Sequence, residues 1–229
     1  MKPKKEENNP LLKASEVGDI LGVIESLNKG FSIESVDIND RTALTLSCMG
    51  GFDNITRLLL KKNANIEHRD MWKYTALTWA SYKGYEPTVK VLLRYNAVVD
   101  VIDRMHKTPF VWSCYLGYTN IANILLEHGA SIDITDRNNR TALIWATRND
   151  KRDTVEMLLS NNAVINITDL DGETCLDYNN GIWIDDKIQE LVINKQPNNI
   201  KLLSDKIGIL PQLREKYKDI IELSLMGLL

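Results

Sequence analysis

Thr75-Ala76-Leu77-Thr78-Trp79-Ala80 is one copy of a six-residue phrase that returns at a fixed interval along this chain. Related stretches begin at positions 42, 108 and 141, and a weaker one at 174, so the starts are 33 residues apart. One interval earlier, the stretch Asn9-Pro10-Leu11-Leu12-Lys13-Ala14 keeps the Leu and the Ala of the phrase. A period of this size predicts a stack of similar supersecondary units, each burying its apolar face on its neighbours.

Composition narrows the class of protein. The chain has 229 residues, of which 44% are hydrophobic and 26% charged, as in globular domains. Its formal net charge of −3 disfavours a nucleic-acid binder. We find neither a secretory signal nor an apolar run of about 18 residues that would span a membrane. The charged and amide-rich residues 1–8 predict a disordered leader.

The three cysteines indicate reduced thiols. Cys48 and Cys114 share one phase of the repeat, two periods apart. Helices that stack about 8–10 Å apart would separate them by roughly 20 Å, whereas a disulfide needs Cα atoms within about 7 Å. Cys175 lies at another phase and has no obvious mate. We therefore expect an intracellular protein, with the cytoplasm as the favoured location. A nuclear location and delivery into a host cell stay open as alternatives.

The stretch 103–135 shows how one repeat is built. Residues 103–107 have turn chemistry, and Thr108-Pro109 supplies a cap and a first helical residue. A second helix carries an apolar stripe and ends near Gly129, which can adopt a left-handed cap conformation. This cap position holds only Gly or Asn, the residues that best tolerate positive φ: Gly30, Asn63, Asn96, Gly129 and Asn162.

A turn Asp also recurs in register, as Asp37, Asp70, Asp103, Asp136 and Asp169. The whole pattern resembles the ankyrin repeat, a unit of a β-turn and two antiparallel helices with a Thr-Pro-Leu-His signature. Two features depart from that family. Its His is absent from every copy, and its turn Gly survives only as Gly172. The residues that replace this Gly are Asp40, Lys73, His106 and Asn139, so we expect turns that are less regular than those of a consensus array.

The resemblance covers residues 4–194 and implies an all-α fold, an ankyrin-repeat solenoid of stacked helix-turn-helix units with β-turn fingers. We expect the repeat array over residues 9–195, with repeats that start near residues 4, 37, 70, 103, 136 and 169. A C-terminal helical extension is expected over 196–229, where the 33-residue register is lost. Three interpretations of this extension stay open. It caps the last repeat, or it binds a second protein, and Leu210-Pro211 is faintly similar to a box that recruits a ubiquitin-ligase scaffold. The third interpretation, a helix on a membrane surface, is disfavoured because the polar face is short and mixed in charge.

Nothing in the sequence points to catalysis, a metal or a cofactor. The three histidines lie at unrelated phases, and none pairs with a Cys or a carboxylate at metal-ligand spacing. The sequence contains neither a Gly-rich phosphate loop nor a nucleophile elbow. Because the Asp series keeps the register of the repeat, we interpret it as turn chemistry and expect a protein that is not an enzyme.

Aromatic residues share one phase of the first helix: Trp79, Trp112, Trp145 and Tyr178. They can be interpreted as a ladder for a ligand or as core residues that pack between neighbouring repeats. The second interpretation is favoured, because the family has an apolar core residue at this phase and large rings contribute much buried area.

In the family, the finger tips and the exposed side of the first helix line a concave groove, so the resemblance implies the same surface here. Carried over by position, the candidate partner-binding residues are Met71, Trp72, Tyr74, Tyr82, Arg104, Met105, Lys107, Tyr115, Arg137, Arg140 and Arg148. Aromatic residues, Met and Arg are enriched at interface centres. We therefore expect a partner protein whose segment carries apolar anchors and acidic residues, and no nucleic acid. The sequence leaves open the oligomeric state, and also whether Trp72 only packs along the next turn.

Overall fold

The computed structural model describes residues 9–178, 186–195 and 215–226. The expected leader, residues 1–8, lies outside these ranges. So do Leu210-Pro211 and most of the expected C-terminal extension, namely residues 196–214 and 227–229.

Within the described ranges the fold is all-α, as predicted, and its only β pairing is an isolated bridge between Val36 and Thr42. The first six helices are α1 (Pro10–Val17), α2 (Ile20–Asn28), α3 (Ala43–Met49), α4 (Asp53–Lys61), α5 (Ala76–Lys83) and α6 (Glu86–Arg94). The next six are α7 (Pro109–Leu116), α8 (Thr119–Glu127), α9 (Ala142–Arg148), α10 (Arg152–Ser160), α11 (Asp186–Lys195) and α12 (Lys218–Leu225).

The chain forms two compact units. Among the described residues, the first unit comprises 9–113 and 124–130, and the second comprises 114–123, 131–178, 186–195 and 215–226. In the first unit, α1, α3 and α5 pack side by side, and α4 packs against α2 and α6 in a second layer. In the second unit, α10 packs against both α9 and α11. Each unit is therefore built from stacked helix-turn-helix repeats.

The core repeats with the sequence. The Leu of the six-residue phrase, or Phe in its place, is buried in every copy, on the first helix of five repeats and in a turn of the sixth: Leu11, Leu44, Leu77, Phe110, Leu143 and Leu176. A second buried series lies on the second helix: Leu59, Leu92, Leu125 and Leu158. Burying a side chain of this size stabilises the fold by about 1.5–3 kcal/mol, so the period of the sequence accounts directly for the stacking.

The threonines of the phrase begin the first helices. The hydroxyls of Thr42, Thr75, Thr108 and Thr141 accept hydrogen bonds from the backbone N–H three residues on, at 3.2–3.3 Å. In the first repeat the side chain of Asn9 replaces Thr and accepts from the N–H groups of Leu11 and Leu12. Each cap satisfies an N–H that would otherwise lack a partner at the helix start.

The cap position after the second helix adopts positive φ throughout, from 60° to 88°, as its Gly and Asn residues predict. The expectation of irregular turns is wrong. Asp40, Lys73, His106 and Asn139 have φ of 57–63°, in the same left-handed region as Gly172 at 79°. In all five turns the N–H of this residue donates to the carbonyl of the turn Asp, at 2.9–3.2 Å. The surrounding hydrogen bonds therefore impose this conformation even where no Gly is present.

The described part of the C-terminal extension contacts α11. Lys216 pairs with Glu190, and the Tyr217 hydroxyl donates to the Asn194 side chain at 2.9 Å. Further along, Leu223 and Met226 are exposed. The start of this segment therefore lies against the last helix of the array, and its end presents apolar side chains to solvent.

The cysteines are free and buried, which agrees with the expected reduced thiols. Burial raises the pKa of Cys48 to about 12, despite hydrogen bonds from Thr56 and Ser47 that act in the opposite direction. A thiol with so high a pKa is almost wholly protonated near neutral pH and is a poor nucleophile.

Candidate partner-binding site

Each finger is organised by the carboxylate of its turn Asp. In the third repeat, one oxygen of Asp70 accepts from the N–H groups of Trp72 and Tyr74, both at 2.9 Å. The other oxygen accepts from the indole N–H of Trp79 at 2.7 Å. This arrangement confirms that the Asp series performs turn chemistry.

The same carboxylate-to-ring bond recurs nine residues apart in three further repeats. Trp112 donates to Asp103 at 2.9 Å, Trp145 to Asp136 at 2.9 Å, and the Tyr178 hydroxyl to Asp169 at 2.6 Å. The first finger lacks such a ring, because Leu46 stands at that phase, and there Arg41 donates to Asp37 instead. The three tryptophans therefore tie α5, α7 and α9 to their own fingers, and Tyr178 ties the turn that contains it to the last finger, while the rings stay partly exposed.

Finger tips one period apart are neighbours within each unit. In the first unit, the N–H of Met71 donates to the carbonyl of Asn39 at 3.0 Å, and that of Arg104 to the carbonyl of Trp72 at 3.1 Å. In the second unit, the N–H of Leu170 donates to the carbonyl of Asn138 at 3.0 Å. The register predicted from the sequence thus brings the tips into a row in each unit.

The first unit carries a cluster of five rings, which we call the aromatic surface: Trp72, Tyr74, Trp79, Tyr82 and Trp112. Neighbouring rings meet at angles of 57–86° with centroids 4.9–6.4 Å apart. Four of the six pairs are edge-to-face, and pairs of that kind add about 0.5–1.5 kcal/mol each beyond the area that they bury. The cluster is therefore fixed in position before any ligand arrives.

Three apolar side chains on the finger tips of the first unit remain open to solvent. Met71, Trp72 and Met105 are 38%, 40% and 48% exposed. Exposed cationic residues lie on the same fingers and on α5: Lys73, Lys83 and Arg104. The carboxylates of Asp70 and Asp103 are buried, so this part of the first unit presents aromatic, Met and cationic groups to solvent.

Three of the candidate residues share one phase and differ from the expected exposed tips. Tyr74 donates its hydroxyl to Asp103 of the next finger; burial, and then the charge of Asp103, raise the pKa of Tyr74. Lys107 is only 7% exposed, and its ammonium lies 4.3 Å from the centroid of Trp112. Arg140 pairs with Asp169 and Asp171 of the following finger. These three side chains therefore contact neighbouring side chains of the protein instead of extending into solvent.

The second unit presents a different surface, which we call the basic surface. Arg137 and Arg148 are exposed, and Arg148 lies over the ring of Tyr178. Tyr115 packs edge-to-face on Trp145, with centroids 5.1 Å apart. Arginine on an aromatic platform, with its donors open to solvent, suits recognition of acidic groups.

Two kinds of contact were not predicted from the sequence. The ring-to-carboxylate bonds did have a signal, since the Asp series and the Trp series keep a constant spacing of nine residues. The acidic partners of Arg140 gave no such signal, because they lie 29 and 31 residues away, in another finger.

The described residues hold no cluster of three or more metal-ligating side chains, and none of their helices is long and apolar enough to cross a membrane. Their chemistry is that of hydrogen-bonded fingers and ring clusters that present side chains to solvent. The structure thus defines a helical repeat protein.

Comparison with known families agrees with this class. A family model described as ankyrin repeats (3 copies) matches residues 11–103 and again residues 97–169. The chain belongs to the ankyrin repeat family, whose members are generally protein–protein interaction modules and typically not enzymes. None of the curated proteins matches the chain significantly.

Proposed function

We propose that this chain is a non-enzymatic interaction module that binds a partner segment through its finger tips and first helices. The observation that carries the proposal is the exposure of Met71, Trp72 and Met105 at the finger tips of the first unit. Turn tips are ordinarily polar, and a contiguous apolar patch on a folded surface marks an interaction site.

Rigidity supports this assignment. The Trp72 ring meets Trp79 edge-to-face at 6.2 Å, and Trp79 is in turn held by the Asp70 carboxylate. A side chain that is already held loses little rotamer entropy when a partner covers it, so more of the contact energy remains as affinity.

Charge indicates the chemistry of the partner. In the first unit, Lys73 and Arg104 are exposed beside Trp72 and Met105 in the sequence, and Lys83 is exposed on α5; in the second unit, Arg137 and Arg148 are exposed. Complementary charges steer association and exclude wrong partners. We therefore propose a partner segment that combines apolar anchors with acidic residues.

Replacing Trp72 with Ala and Arg104 with Glu together tests the proposal. Each single change is expected to cost about 2 kcal/mol of binding energy, as for a central interface residue, and the double variant to lose partner capture. Capture is measured by affinity purification from a cell extract, followed by mass spectrometry of the proteins that the unmodified chain retains. The far-ultraviolet circular dichroism should stay unchanged, because neither side chain is buried.

A matched control carries Leu21→Ala and Lys62→Glu. These changes remove an exposed apolar side chain and reverse one charge, both on exposed residues away from the fingers. This control should retain the partner. Undiminished capture by the Trp72/Arg104 variant would refute the assignment of the surface.

A two-ended adaptor is the alternative function, in which the C-terminal segment recruits a second protein. The exposed Leu223 and Met226 favour it, whereas the contacts of Lys216 and Tyr217 with α11 favour a cap. Deleting residues 200–229 separates the two. The deletion removes the contacts of Lys216 and Tyr217 with α11. We therefore expect it to lower the melting temperature of the array and to leave the finger-bound partner in place. An unchanged melting temperature with loss of one captured protein would instead establish the adaptor.

A further inference from the structure

Two guanidinium groups in the second unit share the same pair of rings. The central carbon of Arg140 lies 5.3 Å from the centroid of Trp145 and 5.9 Å from that of Tyr178. For Arg148 the corresponding distances are 5.8 Å and 4.9 Å. Both arginines therefore belong to one stacked cluster.

The two arginines differ in whether their charge is paired with a carboxylate. Arg140 is neutralised by Asp169 and Asp171, at 2.9 Å and 3.0 Å. Arg148 is exposed, and among the residues that the structure describes it has no ion pair or hydrogen bond, only its contacts with the two rings as polar or ring interactions. The acid next to this cluster in sequence, Asp177, is engaged elsewhere, because it accepts from the N–H and the hydroxyl of Thr174.

Stacking on a ring fixes the plane of a guanidinium without using its N–H groups. Those donors then form a fork whose geometry matches the two oxygens of a carboxylate. A fork that is already oriented loses less side-chain freedom on binding than a free surface arginine does.

The phase of Arg148 makes this site specific to one repeat. The residues one, two and three periods earlier are Tyr115, Tyr82 and Met49, none of which can form an ion pair at neutral pH. At this phase, therefore, the fifth repeat offers a guanidinium that can pair with an acidic residue of a partner. The second, third and fourth repeats do not.

We propose that Arg148, held on Tyr178 and Trp145, is the acid-recognition residue of the array and binds an aspartate or glutamate carboxylate of the partner segment. This inference rests on the proposed function and names the chemistry of one contact within it.

The test uses the full chain with ¹⁵N-labelled arginine and a hexaglutamate peptide as the probe. The side-chain Nε–H resonance of Arg148 should shift on titration and saturate, and a hexaglutamine peptide should leave it unmoved. Arg57 is the internal reference, because it is also exposed and pairs with Asp53 at 3.7 Å on its own helix. A shift at Arg148 no larger than that at Arg57 would overturn the proposal.

Two variants separate the fork from mere charge. Arg148→Lys keeps the charge and loses the planar fork, so hexaglutamate should bind at least about fivefold more weakly. Arg57→Lys makes the same change at the reference arginine, outside the proposed site, and should bind as the unmodified chain does. Equal binding by Arg148→Lys would contradict the inference.

The outcome is independent of the test made on the first unit. The Trp72/Arg104 variant should give the same Arg148 response to hexaglutamate as the unmodified chain. A silent Arg148 in a chain that still captures its partner through Trp72 would refute the inference alone.

Discussion

Replacing Asp103 with Ala is expected to lower the free energy of unfolding by about 4 kcal/mol, since it removes a buried charged acceptor that several groups share. The carboxylate is 2% exposed. It accepts from the N–H groups of Met105 and Lys107 at 2.7 Å and 2.9 Å, and from the indole of Trp112 at 2.9 Å. The Tyr74 hydroxyl is a further donor.

The size of the loss follows from what remains after truncation. A hydrogen bond to a charged group contributes about 1.5–3 kcal/mol, and a buried donor left without a partner costs about 1–3 kcal/mol. Water that enters the emptied space will satisfy some of these donors, which keeps the total near 4 kcal/mol rather than at the sum. Urea unfolding followed by circular dichroism measures it.

Two variants bracket this result. Trp112→Phe keeps a ring and removes one donor, so it should cost about 1 kcal/mol. Asp37→Ala should cost about 2 kcal/mol, because that carboxylate is less buried and receives donors from Arg41 rather than from a ring. A loss below about 1 kcal/mol for Asp103→Ala would show that the finger is not organised by its carboxylate.

The repeat array could be predicted from the sequence because its determinants are local and recur. Thr caps, Gly or Asn at the left-handed position, and the buried Leu of each phrase all act within one repeat. The prediction of irregular turns was wrong because it considered only the preference of the single residue that replaces Gly. A single residue such as Lys73 disfavours the left-handed region, but the hydrogen bonds around Asp70 hold the turn in it.

The candidate site was harder to predict because exposure depends on the next repeat. Position alone placed Tyr74 and Arg140 at finger tips, and that much of the register is correct. Their side chains turn toward an acid 29 residues further on, Asp103 for Tyr74 and Asp169 for Arg140. Whether a tip residue faces solvent or contacts the next finger depends on the side chains of both fingers. The pattern of a single repeat does not supply that information.

Arg140→Ala is expected to lower the free energy of unfolding by about 3 kcal/mol at neutral pH, because it leaves a buried carboxylate without its cation. The Asp169 side chain is 0% exposed, and Arg140 is 12% exposed. Removing one partner of a buried ion pair ordinarily costs about 3–5 kcal/mol. The lower end applies here because Tyr178 and the N–H groups of Asp171 and Glu173 still donate to Asp169.

The pH dependence of this loss identifies its cause. Burial by itself would raise the pKa of Asp169, but the hydrogen bonds from Tyr178 and Arg140 outweigh burial and lower it. A carboxylate with a lowered folded-state pKa stabilises the fold above the unfolded value of about 3.9, and that contribution is lost as pH falls through the folded pKa.

Without Arg140 the pKa of Asp169 should rise, so the stability gap between the variant and the unmodified chain should narrow as the solution is acidified below about pH 4. Urea unfolding from neutral pH down to acid measures the gap. Arg148→Ala is the matched control, since it removes an arginine from the same two rings without breaking an ion pair within the described residues. Its stability difference should be small and independent of pH. A gap for Arg140→Ala that stays constant with pH would mean that lost packing on Trp145, and not the charge of Asp169, accounts for the effect.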